Sequence, residues 1–176
     1  MKPEIFMNDF ERTAWADAHY SVIGRALTFA TRFECLCRSL NILLGVKENK
    51  SILESEEEII EFVDRLYKLR LVQRISSIAR DENELKNILD KGRRARNEIA
   101  HETTIGLDRC IDTLPNKHIN NLMDRLRGLI IDLAEADRAV SLITSVVTNE
   151  HLPTPGFLTK YPHLIEKWVM EIEEVE

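Results

Sequence analysis

The amino-acid sequence predicts an all-α protein, an antiparallel bundle of four or five helices. Two observations predict it. Apolar residues recur at the three-to-four spacing of a helix face over long stretches, and no segment shows the period-two alternation of a half-buried strand. Proline is absent between Pro3 and Pro115 and the chain holds only 6 glycines, so little interrupts long helices. At 176 residues the chain can bury roughly 70% of its unfolded surface, enough for one core.

The first helix is read in SVIGRALTFATRFECLCRSLNILL, residues 21–44, with Val22, Ala26, Phe29, Phe33, Leu36 and Leu40 on one face and Gly45 as its stop. Ser55 with Glu58 three residues later forms a capping-box pattern and opens a second helix, read as one piece over residues 56–79 with Ile59, Val63 and Leu66 on its inner face. Asp81 with Glu84 opens the third, ENELKNILDKGRRARNEIAHE, whose apolar members are Leu85, Ile88, Leu89, Ala95 and Ile99. A loop with Gly106 and Pro115 leads to the longest helix, residues 116–150, carrying Ile119, Leu122, Met123, Leu126, Ile130, Leu133, Val140, Ile143 and Val147. PTPG at 153–156 breaks it, and Pro162 is read as the start of a short helix with Leu164, Ile165, Trp168, Val169 and Ile172. Residues 1–152 are thus expected to form the bundle, and residues 153–176 a linker and a short amphipathic helix that packs on the bundle or on a partner.

With 44% hydrophobic and 31% charged residues the chain is too apolar for disorder, and it contains no apolar run long enough for a membrane span. Its N-terminus lacks the basic start and hydrophobic middle of a signal peptide, so a cytoplasmic location is expected. Cys35, Cys37 and Cys110 are odd in number, and the first two point roughly 200° apart on a helix, so neither a disulfide nor a chelate follows. They are read as packing residues. A net charge of −6 argues against a general nucleic-acid coat, yet KGRRAR at 91–96 concentrates four basic residues in six, while EIEEVE at 171–176 concentrates four acids.

The basic run sits at the end of the third helix, in RRARNEIAHE. Taking Gly92 as zero on an ideal helix, Leu85, Ile88, Ala95 and Ile99 lie within about 60° of it and form the buried face. Arg96, at about +40°, falls at the edge of that face, where a guanidinium must be paired or must reach past the core to water. Asn97 and His101 share another face. Glu34 interrupts the apolar row Ile23, Leu27, Ala30 and Cys37 on the first helix and is a candidate to hold Arg96, as against a carboxylate at the bundle edge with no partner. Gly92 either allows close approach of RNA or a second subunit, or is simply tolerated.

Arg96, the polar Asn97 directly after it and His101 five residues on, in RNEIAH, resemble the signature of the HEPN family, small helical-bundle proteins of bacterial toxin, defence and RNA-processing systems. The all-helical layout and the position of the motif near the end of the third long helix extend the resemblance over residues 10–150. Two features depart from it. The tyrosine that a toxin branch carries two residues after the histidine, where a nucleotidyltransferase modifies it, is Thr103, and the glycine that many relatives carry after the histidine is Glu102.

Arg96 presents a permanently charged fork matched to phosphate, and His101 can accept a proton from an attacking hydroxyl or return one to a leaving oxygen. The pair suits cleavage of RNA by its own ribose 2′-hydroxyl, with no metal or other cofactor expected, since no metal-binding motif and no glycine-rich phosphate loop is present. An ideal helix sets Arg96 and His101 about 140° apart, so either the helix frays near Ala100 or a second subunit completes the site. The resemblance implies the second, a homodimer with both motifs lining one cleft and Lys91, Arg93 and Arg94 forming a basic groove for the RNA substrate. It also implies a toxin or phage-defence role with an antitoxin or regulatory protein as partner, and no membrane. Two other readings stand beside it. One is a non-catalytic HEPN-like module that binds RNA, a nucleotide or a protein through the same groove. The other is an interaction module whose Trp168 helix docks on another chain.

Overall fold

The computed structural model of the chain describes residues 13–103 and 110–172, and every regular element among them is helical. The elements are α1 (Ala14–Asn49), α2 (Glu56–Tyr67), α3 (Leu71–Ala79), α4 (Asn83–His101), a 3-10 turn (Ile111–Thr113), α5 (Asn116–Thr148) and α6 (Pro155–Met170). α1 is the central rod and touches all five other helices. Phe33 and Leu40 of α1, Ile75 of α3, Leu89 and Ile99 of α4, and Leu126, Ile130 and Leu133 of α5 make the buried core. All but Ile75 are apolar positions that helical spacing selects; Ile75 lies on the opposite side from Ile59 in the single helix expected over 56–79 and is buried because the chain restarts at Leu71. Removal of these side chains from water is the main force holding the helices together. Gly106 and residues 173–176 of the acidic C-terminal run lie outside the described residues.

α1 is longer than its apolar pattern suggests at both ends. Thr13 caps its start, accepting from the Ala16 amide at 3.1 Å, while its own hydroxyl donates to Asp112 at 2.7 Å and ties the helix to the 3-10 turn. Gly45 does not stop the helix. A Cβ at that position would lie 2.6 Å from Leu66 Cδ1 and 3.3 Å from Phe62 Cε1, so the missing side chain leaves room for the tips of these two α2 side chains against α1.

The stretch expected as one helix over 56–79 is two. Ser55 and Glu58 form the capping box that opens α2, but the chain turns after Tyr67 and restarts at Leu71. At the corner the Gln73 side chain reaches back to accept from the Arg70 amide at 2.8 Å, and Arg74 Nη2 donates to the Tyr67 carbonyl at 2.8 Å, occupying a terminal acceptor of α2. No residue of α2 is buried, and Ile59, expected on an inner face, is 39% exposed.

Three further expectations are corrected. Asp81 does not cap α4, because Arg80 turns the chain through a positive φ of 48° and leaves Glu82 at the cap position with no side-chain bond. α6 begins at Pro155 with Thr154 as its cap, not at Pro162, which lies buried inside the helix. Pro162 has no amide to give the Leu158 carbonyl, and Arg138 Nη1 of α5 takes that role at 2.9 Å. Of the three cysteines, Cys37 and Cys110 are buried as packing residues, whereas Cys35 is exposed.

No helix among the described residues is long and apolar enough to cross a membrane. α6 packs on α5 and α1 through Val169, while Leu164 and Trp168 face outward.

Candidate functional site

α4 positions the motif. Its backbone is held against α5 and α1 at Gly92, where a Cβ would collide with Ala136 Cβ and lie 3.2 Å from Phe33 Cζ. That glycine therefore serves close packing within one chain, rather than approach of RNA or a second subunit. The helix remains regular through His101, its last residue. Beyond it the Glu98 carbonyl accepts from the Glu102 amide at 2.8 Å, and from the amide and hydroxyl of Thr103 at 3.0 and 3.2 Å, which closes the end and buries Thr103. The fraying near Ala100 that would swing Arg96 and His101 together is absent, and the two stay about 140° apart on the helix.

Arg96 turns inward. Its Nη2 pairs with Glu34 Oε2 and its Nη1 donates to Asn97 Oδ1 at 3.2 Å, so Asn97 braces the guanidinium that precedes it. Glu34, one candidate partner in the sequence, is the hub of a larger group. Its Oε1 lies 3.7 Å from Arg38 Nη2 and 3.8 Å from Arg74 Nη1. Arg38 in turn donates to the Tyr67 hydroxyl at 3.1 Å and lies over that ring, 4.6 Å from its centroid. Burial, reinforced by the neighbouring Arg38 charge and opposed by Glu34, lowers the pKa of the Arg74 guanidinium. Arg38 lies one turn beyond Glu34 and could have been found from that spacing. Arg74 could not, because only the corner after Tyr67 brings α3 to this face.

His101 faces outward with different neighbours. Arg94, Asn97 and His101 are all exposed, and their spacing of three and then four residues forms one stripe along α4. Seven residues separate Arg94 from His101, which leaves them about 20° apart around the axis and roughly 10 Å apart along it. Within one chain the cation aligned with His101 is thus Arg94 and not Arg96. Neither Arg94 nor His101 has a hydrogen-bond or ion-pair partner among the described residues. The other cations of the basic run are engaged: Lys91 lies 3.7 Å from Asp132, and Arg93 Nε lies 2.9 Å from Asp90. Glu98 and Glu102 both meet Arg125 of α5, the latter at 3.4 Å, which offsets the acidic charge beside the histidine.

A second ionic group, absent from any sequence expectation, lies where α1, α5 and α6 meet. Asp137 is fully buried, accepts from the Tyr161 hydroxyl at 2.6 Å and sits 3.3 Å from Arg32 Nε. Burial raises the Asp137 carboxyl above the usual range, against the pull of the Tyr161 hydrogen bond and of Arg32. Burial also raises the Tyr161 phenol, and it pushes the nearby Cys37 thiol up to about 12, the Asp137 charge adding to the effect. A cavity of about 200 Å³, lined by Arg32, Ser141, Phe157 and Tyr161, opens beside this group.

Among the described residues no group of three or more His, Cys, Asp or Glu side chains is placed to hold a metal ion. Compared with family models, with curated proteins and with solved structures, the chain finds no match.

Proposed function

We propose that the chain is a metal-independent endoribonuclease of HEPN type that works as a homodimer in the cytoplasm, as a component of a toxin or phage-defence system. The observation that carries the reading is the end of α4, where exposed His101 shares a stripe with Arg94 and Asn97 while Asn97 also braces Arg96. A regular helix keeps Arg96 and His101 on separate faces of one chain, so a phosphate held by both takes them from two copies. Arg94, with Lys91 and Arg93, lines the path of the RNA backbone. An antitoxin or regulatory protein covering this end would silence it.

In the reaction His101 accepts the proton of the ribose 2′-hydroxyl and the freed oxygen attacks the adjacent phosphorus. The bond to the 5′-oxygen breaks, that oxygen takes the proton which His101 returns, and a 2′,3′-cyclic phosphate remains. Arg96 stabilises the added negative charge on the phosphoryl oxygens. RNA should be cut in the presence of EDTA and DNA should not, since DNA lacks the 2′-hydroxyl. His101→Ala should remove cutting while the far-ultraviolet circular dichroism stays unchanged. Cleavage that needs added metal, or that survives His101→Ala, contradicts the proposal.

The engagement of Arg96 by Glu34 favours a second reading, a non-catalytic module that binds RNA, a nucleotide or a protein. Retained RNA affinity without cleavage across a panel of substrates selects it.

A further inference from the structure

We propose that Arg38, Arg74 and Arg96, gathered round Glu34, form a binding site for a phosphate monoester, the terminal phosphate of an RNA or of a free nucleotide. Three guanidiniums share one carboxylate, so the group holds two positive charges in excess. A phosphate monoester carries close to two negative charges at neutral pH, whereas a phosphodiester carries one. The monoester is the ligand that balances the group.

The bonding that is missing points the same way. Arg74 is 4% exposed, yet its Nε and Nη1 have no hydrogen-bond acceptor, and neither has the buried Nε of Arg38. Buried donors left unpaired are costly, so an arrangement that satisfies them is favoured. Glu34 cannot satisfy them while one of its oxygens is committed to Arg96 and the other stands 3.7 and 3.8 Å from its neighbours. The side chains of Arg38 and Arg96 are 26% and 24% exposed, which opens the group to solvent on one side. A phosphate entering there takes the outer donors of Arg96 and Arg38. It also takes the Tyr67 hydroxyl, which accepts from Arg38 and whose own hydrogen has no acceptor among the described residues. Glu34, released from Arg96, then closes on the buried guanidinium of Arg74. One exchange of partners binds the ligand and satisfies donors that now have none.

The site shares Arg96 with the ribonuclease reading but does not depend on cleavage. Isothermal titration of the full chain with inorganic phosphate should give saturable binding, weakened about tenfold or more by Arg38→Gln, the loss of a charge-assisted hydrogen bond. Arg127→Gln, an equal change of charge elsewhere, should leave it intact. Should Arg38→Gln fail to fold by circular dichroism, Tyr67→Phe at a half-exposed position should weaken binding severalfold. Displacement by a 5′-phosphorylated RNA oligonucleotide and not by its 5′-hydroxyl counterpart identifies an RNA end, and displacement by AMP alone identifies a free nucleotide. The proposal is overturned by absence of saturable phosphate binding, by binding that the folded site variants leave unchanged, or by equal displacement with the 5′-hydroxyl RNA. Cleavage of 5′-hydroxyl RNA, assayed separately, follows the ribonuclease reading alone.

Discussion

Glu34 and Asp137 are both acids set beside arginines of the same bundle, and their surroundings give them opposite roles. Glu34 is partly open to water and shared by three guanidiniums, one of them buried, so its negative charge is what makes that group tolerable. Asp137 is fully buried with one guanidinium and a phenol, and burial works against its ionised form. The first acid is needed for its charge, the second for its shape and hydrogen bonds. A carboxylate near an arginine therefore says little until burial and the number of cations are known.

Neutralising each acid in turn breaks or sharpens that contrast. Glu34→Gln leaves buried Arg74 without its anion and should lower stability in urea unfolding by roughly 1–3 kcal/mol, less than the loss for a fully buried broken pair because Glu34 is partly solvated. Tyr161→Phe removes the hydroxyl that Asp137 accepts from and should lower stability by about 1 kcal/mol. Asp137→Asn keeps a hydrogen-bonding side chain of the same size and should change stability by less than about 1 kcal/mol at neutral pH. Its signature is the pH dependence. Because burial raises the folded-state pKa of Asp137, the parent chain holds that contribution to stability below the ordinary carboxylate pKa, around 4, and loses it as pH rises to the raised folded value. The difference between variant and parent should therefore move in the variant's favour over that window. Equal losses for Glu34→Gln and Asp137→Asn, with no such movement, would erase the contrast.

The helical class and most core positions were legible in the sequence because periodic burial leaves a periodic pattern: Phe33, Leu40, Leu89, Ile99, Leu126 and Leu133 are all buried where spacing put them. Punctuation was legible only in part. Gly45 and Pro162 are the letters that end or begin helices, yet one accommodates α2 and the other has its orphaned carbonyl satisfied by Arg138. The turn after Tyr67 contains neither glycine nor proline, and contacts from Gln73 and Arg74 brace it. At the candidate site, Glu34 could be picked out because an acid interrupts an apolar row, and Arg96 because of its angle on the helix. Arg74 joins them only through the corner that the sequence hides, and nothing in the spacing sets Asp137 apart from the other acids of α5. The Asp90–Arg93 pair, three residues apart on α4, could have been found from spacing, whereas the contact of Lys91 with Asp132 crosses to α5 and could not.

Gly92 fixes more than packing. His101 lies nine residues beyond it, about 13 Å along the axis, so the contact of α4 with Ala136 and Phe33 acts as a keel that decides where the distant imidazole aims. Adding even one methyl group there would roll the helix or push it outward, and the ring at its tip would sweep sideways with it. Damage of that kind would masquerade as lost chemistry in a chain whose reactive residues are all still present.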